Sequence, residues 1–323
     1  MDTPPFFSVI ASIHKFTPFF PGMMSSLGRQ TFKNFELVLI LDAPSHEDLR
    51  RIEELIGAYQ DKFSCKTFLN QDRQGLTKNL NKAMAMAAGD VFVRLDSDDE
   101  MSPERLAVLK PHFDQGCIFL ANASQVAVGG AIKSVYPDRA LQRQEAQNLC
   151  LNLNRVAAHS AFSFHRSLLE MVGGYDERYR FSQDFDLMLR CTERLTDRQF
   201  RIIADPLTII NVHPSAISSG PTRNEQFFLQ LCRIIDFHLR SQQQNVTFDA
   251  IYAALKDDAM WSQLEASNAW RGQLRSKSYA GLLLAGLLHP LRTLTMLRYR
   301  THALRLVDDV TTLLSDKAGA GKT

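Results

Sequence analysis

Residues 91–100 read VFVRLDSDDE: an apolar, β-branched run passes directly into Asp96, Asp98, Asp99 and Glu100. Acids in such a place commonly open the next helix, where they meet the positive end of its dipole. Here Ser102, Pro103 and Glu104 already offer an N-cap, a proline at the first helical position and an early acid. The strand end is therefore expected to present its carboxylates to a ligand. The segments on either side decide what kind of sheet carries it.

Working outward, short apolar runs at 6–13, 36–41, 65–69, 91–95 and 117–126 read as strands. The segments 17–30, 45–60, 75–88 and 102–113 carry a helical period, and Ser45 ahead of Glu47 and Asp48 marks another helix start. Strands and helices alternating at this spacing predict βαβ units, an α/β fold and a mostly parallel sheet. In such sheets ligands bind beyond the carboxyl ends of the strands. Three ends qualify: Ser12 to Lys15, Asp42, and Asp96 to Asp99.

After about residue 135 the strict alternation fails. The segment 138–152 reads as a polar helix or excursion, 159–164 as a short strand and 182–195 as a helix with Phe185, Leu187, Met188 and Leu189 on its apolar face. Two further strands are expected at 200–203 and 207–212. From 222 onward the pattern is helical, and Ser219, Gly220 and Pro221 mark a boundary between 1–220 and 221–323.

A chain of 323 residues with 45% hydrophobic and 22% charged residues is of ordinary globular composition. Its five cysteines are scattered and never form a CxxC, so reduced, mostly buried thiols are expected rather than a disulfide framework or thiolate zinc. The apolar FFSVIASI follows Asp2 and is cut by His14 and Lys15, which suits neither a signal peptide nor a membrane anchor, and a cytoplasmic protein is expected. The terminal AGAGKT lacks the earlier glycine of a phosphate loop, because Asp316 stands there.

The strings SVIASIHK (8–15), SLGRQTFKNFELVLILDAPS (26–45) and NQDRQGLTKNLNKAMAMAAGDVFVRLDSDDEMSPERL (70–106) resemble the N-terminal half of family 2 glycosyltransferases. VGGYDERYRFSQDFDLMLR (172–190) and NVHPSAIS (211–218) look like that family's acceptor-side half. The resemblance covers about two-thirds of the chain. It implies a GT-A, Rossmann-like catalytic domain at 1–220 with a helical C-terminal extension, and an inverting transfer from a nucleotide sugar.

On that resemblance LDSDD is the family's DxD motif, with Asp98 as ligand of a divalent Mn2+ or Mg2+ and Asp96 near the ribose or donor sugar. A divalent ion is a common means of neutralising a departing diphosphate. Asp99 either assists or serves the following helix. Asp42 stands where the family usually has paired acids that hold the base or ribose; the alternative is a strand-end Asp in a turn before Pro44. Ser12 and His14 fall on the nucleotide side, His14 replacing a commoner aromatic. Gly75 and Asn81 match the family's glycine-to-asparagine spacing, with Leu80 in place of Arg; an ordinary loop-to-helix junction is the alternative. Asp184, preceded by Gln183 instead of Glu, matches the catalytic base, since inversion needs one carboxylate to take the acceptor proton; the bland alternative is a helix cap. His213 either completes the metal site or touches the diphosphate, or is a satisfied structural histidine. His159, Gly173 and Gly174 shape the acceptor side or pack at a turn.

The segment 271–305 has seven Lys or Arg and no acid. Its apolar run suits a helix in a membrane interface, or one packed on the catalytic domain. Nucleic-acid binding is not expected, for no such motif appears. The expected partners are a nucleotide-sugar donor, a glycan or lipid-linked acceptor and a membrane surface. Two rivals are a sugar-phosphate nucleotidyltransferase, which would need a Gly-rich basic loop that ASIHKFTPFF lacks, and a catalytically inactive nucleotide-sugar-binding scaffold.

Overall fold

The seven residues of FSVIASI are buried at every position but Ser12, so β1 (Phe7–Ile13) is a strand covered on both faces. The fold built on it, described as a computed structural model, covers residues 4–214, 223–256, 307, 310–312 and 314. The chain divides into two compact units, Met1–Gly220 and Pro221–Thr323. In the first, β1 is followed by α1 (Phe20–Gly28), β2 (Phe35–Asp42), α2 (His46–Gly57), β3 (Ser64–Asn70), α3 (Leu76–Met86) and β4 (Val91–Arg94). Then come β5 (Glu100–Met101), α4 (Arg105–Asp114), β6 (Phe119–Val128), β7 (Ala131–Tyr136), α5 (Arg143–Leu151), a 3-10 turn at His159–Ala161, β8 (Phe162–His165), α6 (Leu168–Met171), α7 (Gln183–Arg194) and β9 (Phe200–Val212).

The expected parallel sheet forms as 3-2-1-4, with β3 at the edge and largely exposed. The second half mixes directions: β8 inserts antiparallel between β4 and β6, β9 lies parallel to β6, and β5 pairs antiparallel with β9. Period-two alternation places Val9, Leu37, Leu39 and Val93 on one face, where Phe20, Met23 and Leu27 of α1 and Leu106 and Leu109 of α4 close the core. Helix α3 lies against β1 and β2 and buries Leu80, Ala83 and Met84.

Four local expectations are corrected. The helix expected over 17–30 begins only at Phe20, because Pro18 disfavours helix at Thr17, and Pro21 occupies the first turn. The expected Ser102 cap does not form: Ser102 Oγ is buried without a hydrogen bond, while α4 begins at Arg105 after Glu104. The backbone of Ser102 is instead held by Leu207 and Gln30, an extension of the β5–β9 pairing. The two strands expected at 200–203 and 207–212 are one strand, interrupted in register where Ala121 pairs Ile202 and Ala123 pairs Pro206. Strand β7 was not expected at all, although Gly129 and Gly130, both at positive φ (59° and 80°), form the turn that returns it onto β6.

Ser45 does cap α2, accepting from the Asp48 N–H at 3.1 Å. All five cysteines are free thiols, four of them buried. In the second unit the described residues include α8 (Arg223–Ser241) and α9 (Phe248–Lys256), joined by the non-helical segment 242–247. Among the described residues no helix is long and apolar enough to cross a membrane. The basic segment 271–305 and the boundary at 219–221 lie outside the described residues.

Candidate active site

Strand β4 delivers the acidic loop to the carboxyl edge of the sheet, and a turn closed by Asp99 N–H on the Asp96 carbonyl (3.1 Å) shapes it. Its carboxylates then diverge. Asp98 keeps 27% of its side chain exposed and meets His213, with Oδ2 and Nε2 2.9 Å apart. The His213 ring stacks on Phe19 at 4.5 Å between centroids. Asp98 is fixed from behind by Asn211, whose Nδ2 donates to its carbonyl at 2.8 Å. Asp99 is turned inward and buried; it accepts from the Asn211 N–H at 3.0 Å and shares a 2.6 Å hydrogen bond with Ser160 Oγ. It therefore knots the loop to β9 and to the 3-10 turn.

Asp96, 31% exposed, is paired with Arg94, and Ser160 Oγ bonds its Oδ2 at 2.9 Å while accepting its N–H at 3.0 Å. Arg94 and Arg105 are wholly buried behind the loop. Arg94 also donates to the Ile10 and Leu95 carbonyls, and Arg105 to those of Arg94 and Phe162. Burial works to raise the Asp96 pKa, but the Arg94 charge and the Ser160 hydrogen bond hold it below the usual range. Burial and then the Asp96 charge push Asp98 up, and burial with both neighbouring carboxylates pushes Asp99 well up. Burial pulls Arg105 down to about 9 against the opposing pull of Asp99. One Ser160 proton cannot serve both acids; a protonated Asp99 that donates to Ser160 while Ser160 donates to Asp96 satisfies all three groups.

The 2.9 Å between Asp98 Oδ2 and His213 Nε2 fits two ligands on adjacent corners of an octahedral ion, which stand about 3 Å apart when each bond is about 2.1 Å. Among the described residues no group of three His, Cys, Asp or Glu is arranged to hold a metal. Two protein donors suit a hard cation that takes its other oxygens from phosphate and water.

At the neighbouring strand ends, Asp42 is buried and its carboxylate faces the chain. It accepts from Asn70 Nδ2 (3.0 Å), Gln74 N–H (2.8 Å) and Gly75 N–H (3.0 Å). Burial alone would raise its pKa, but these donors carry it below the usual value. Asp42 thus clasps the loop before α3, where Gly75 at φ 83° makes the turn that a side chain would strain. Asn79 extends the network, its Oδ1 accepting from Asn70 at 2.8 Å and its Nδ2 donating to Ser12 Oγ at 3.0 Å. His14 Nδ1 lies 3.0 Å from the Asp42 carbonyl. Asn70, Gln74, Lys78, Asn79 and Lys82 line an adjoining cavity of about 450 Å³.

Asn81 is engaged elsewhere. Its Oδ1 accepts from the Tyr175 N–H at 3.0 Å and its Nδ2 donates to the Tyr175 carbonyl at 2.8 Å, so it tethers the 173–177 loop to α3. A Cβ at Gly174 would stand 2.9 Å from Asn81 Oδ1, so a side chain there would press on this tether. Arg190 on α7 braces the same loop, donating to the Val172 and Gly174 carbonyls and pairing with Asp186. Helix α7 is entered through Ser182 in a left-handed conformation (φ 57°), which sets its first turn. Asp184 occupies that turn, half-buried, and its carboxylate has no hydrogen bond or ion pair among the described residues. It is not a cap.

The structure therefore joins Asp96, Asp98 and His213 at one strand-end cluster and Ser12, His14, Asp42 and Gly75 at a second along the same sheet edge. Arg94, Arg105, Ser160 and Asn211 support the acids and were missed. Only a charged residue inside an apolar strand, Arg94, carried a visible signal.

The sequence profile of glycosyl transferase family 2 matches residues 8–173, just over half of the chain. An uncharacterized protein of Sinorhizobium fredii is 25% identical over 67% of this chain, a match spanning 23% of that protein's length. An uncharacterized glycosyltransferase of Methanocaldococcus jannaschii is 26% identical over 64% of this chain and 70% of its own. Among solved structures, S. aureus TarS 1-349 in complex with UDP-GlcNAc matches at TM-score 0.60 with 18% identity, covering 97% of this chain and 92% of that one. A mannosyltransferase of Pyrobaculum calidifontis in complex with GDP-Man and Mn2+ matches at TM-score 0.55 with 16% identity over 94% and 87% of the two chains. These likenesses give the fold, which is GT-A. The profile match gives the family: the chain belongs to glycosyl transferase family 2.

Proposed function

We propose that this chain is an inverting glycosyltransferase that moves a sugar from a nucleotide donor, a UDP-sugar, to a hydroxyl of a glycan or lipid-linked acceptor in surface polysaccharide synthesis. The observation that carries it is the unpartnered Asp184 carboxylate on the same unit as the Asp98–His213 pair at 2.9 Å. Asp98 and His213 would hold a divalent ion, Mn2+ or Mg2+, which when bound supplies positive charge to the departing diphosphate. Asp184 takes the proton of the acceptor hydroxyl as its oxygen attacks the anomeric carbon. The bond from that carbon to the diphosphate breaks, and the nucleoside diphosphate leaves with the electron pair. Asp96, oriented by Arg94 and Ser160, faces the donor sugar; Ser12, His14 and the Gly75 turn held by Asp42 carry the nucleotide. The UDP-GlcNAc complex of TarS and the GDP-Man and Mn2+ complex of the mannosyltransferase support this reading by fold alone.

Transfer and hydrolysis assays over a panel of sugar nucleotides with Mn2+ test it. Asp98→Ala is expected to abolish metal-dependent donor binding. Asp184→Asn is expected to bind donor as wild type does while transfer falls by about 10²–10⁴-fold. Unchanged transfer in Asp184→Asn would remove the base assignment, and no metal-dependent nucleotide binding by wild type would remove the whole reading.

A further inference from the structure

The charges of the two carboxylates assigned to donor and acceptor, Asp96 and Asp184, both act on a histidine that the proposed reaction has not used. His159 begins the 3-10 turn, and the next residue, Ser160, is the one bonded to Asp96. Its ring is held edge-on between Tyr175 and Phe162, with centroids 5.4 and 5.6 Å away. Nε2 is fixed by the Tyr175 hydroxyl at 2.8 Å. Tyr175 is in turn pinned by the two-way Asn81 bonds, so a chain of contacts from α3 sets the plane of the imidazole. Nδ1 makes no hydrogen bond among the described residues and is not sealed from solvent.

Burial, and after it the Arg94 charge, draws His159 down to about 4, although Asp184 and Asp96 act on the ring in the opposite sense. The imidazole is neutral at pH 7 and carries one proton. Burial also drives the Tyr175 phenol upward, so it keeps its hydrogen. With the phenol donating to Nε2, the imidazole proton sits on Nδ1, the tautomer favoured by the negative field of the two carboxylates.

Resting on the donor-site reading above, we infer that His159 is a substrate-contacting residue whose Nδ1–H donates to a hydroxyl of the transferred sugar. Its turn meets Asp96 through Ser160, and the Asp184 charge reaches its ring, so a sugar held by a donor-facing Asp96 and approached by a hydroxyl at Asp184 comes within reach of the imidazole. The nucleotide half of the donor is held at other strand ends, so His159 discriminates sugar nucleotide from bare nucleoside diphosphate. Tyr175 and Asn81 are positioning residues that fix its tautomer and plane.

Calorimetric titration of the full chain with Mn2+ tests this, using whichever of UDP-glucose, UDP-N-acetylglucosamine or GDP-mannose wild type binds, against the matching UDP or GDP. His159→Ala should weaken the sugar nucleotide about 3–10-fold, the range of one hydrogen bond, and leave the diphosphate within about twofold. His159→Asn, whose amide nitrogen can stand where Nδ1 stood, should recover most of the difference. Equal weakening of both ligands, or no weakening of either, would overturn the assignment. Binding of neither ligand by wild type would overturn the donor-site reading, and this inference with it.

Discussion

Asp98 and Asp99 are adjacent in sequence and opposite in use: one opens to solvent beside His213, the other is buried under Asn211 and Ser160. What separates them is which partner the fold brings up, and those partners lie 115, 112 and 61 positions away. The acid-rich loop was legible; the division within it was not. The same limit applies to Asn81, whose spacing resembled a nucleotide contact while its amide holds Tyr175. Another buried carboxylate sits among different partners and gives a stability test independent of the site. Glu36 accepts from Ser8 Oγ at 2.7 Å and from the Ala88 N–H at 2.6 Å, and pairs with Lys66 at 2.7 Å. Burial opposes its charge, but these partners leave its pKa below 4.5. A depressed carboxylate stabilises above its unfolded value and loses that contribution as pH falls through the folded one. Glu36→Gln should therefore cost about 1–3 kcal/mol at pH 7, with the gap to wild type narrowing as pH drops below about 4.5. Urea unfolding at pH 7 and pH 4 reads it; a gap that widens in acid would refute it.

At the scale of elements, the parallel half of the sheet follows from continuous apolar runs, and the helices between them from period and caps. Where tertiary pairing overrode local signals, the expectation failed. Ser102 had every mark of a cap, but the β5–β9 pairing holds its backbone and α4 starts three residues later. Strand β7 is short and mostly exposed, so it lacked an apolar pattern; only the Gly129–Gly130 turn betrayed it. Two glycines separate local propensity from tertiary constraint. Gly57 ends α2 with nothing within 4 Å of an added Cβ, so Gly57→Ala should stabilise by about 0.5–1 kcal/mol through helix propensity. Gly174→Ala would drive a methyl group to 2.9 Å from Asn81 Oδ1, so that either the Asn81 amide or the loop that positions Tyr175 must shift. It should destabilise by about 1–3 kcal/mol and lower transfer activity. Thermal melts of both variants decide this, and a neutral Gly174→Ala would show that the Asn81 tether yields freely.

Over the whole molecule, the family was legible because its strand ends, acidic loop and acceptor-side strings occur in order, and order along the chain survives where single residues depart. The basic stretch 271–305 lies outside the residues 8–173 that the family profile matches, and its composition alone makes a prediction. GLLLAGLL at 281–288 is followed by Arg292, Arg298 and Arg300 with no acid between. A basic residue at an anionic membrane surface contributes about 1 kcal/mol, so neutralising three should weaken binding by about 3 kcal/mol, on the order of a hundredfold. The full chain is expected to float with vesicles containing phosphatidylserine and much less with neutral ones, and 0.5 M salt should reduce the difference by screening. The triple variant Arg292→Gln, Arg298→Gln, Arg300→Gln should remain in the bottom fraction with both, while binding nucleotide sugar as wild type does. Flotation of wild type and triple variant to the same extent would assign the arginines to another role, and failure of wild type to float would refute the membrane-interface reading of 271–305.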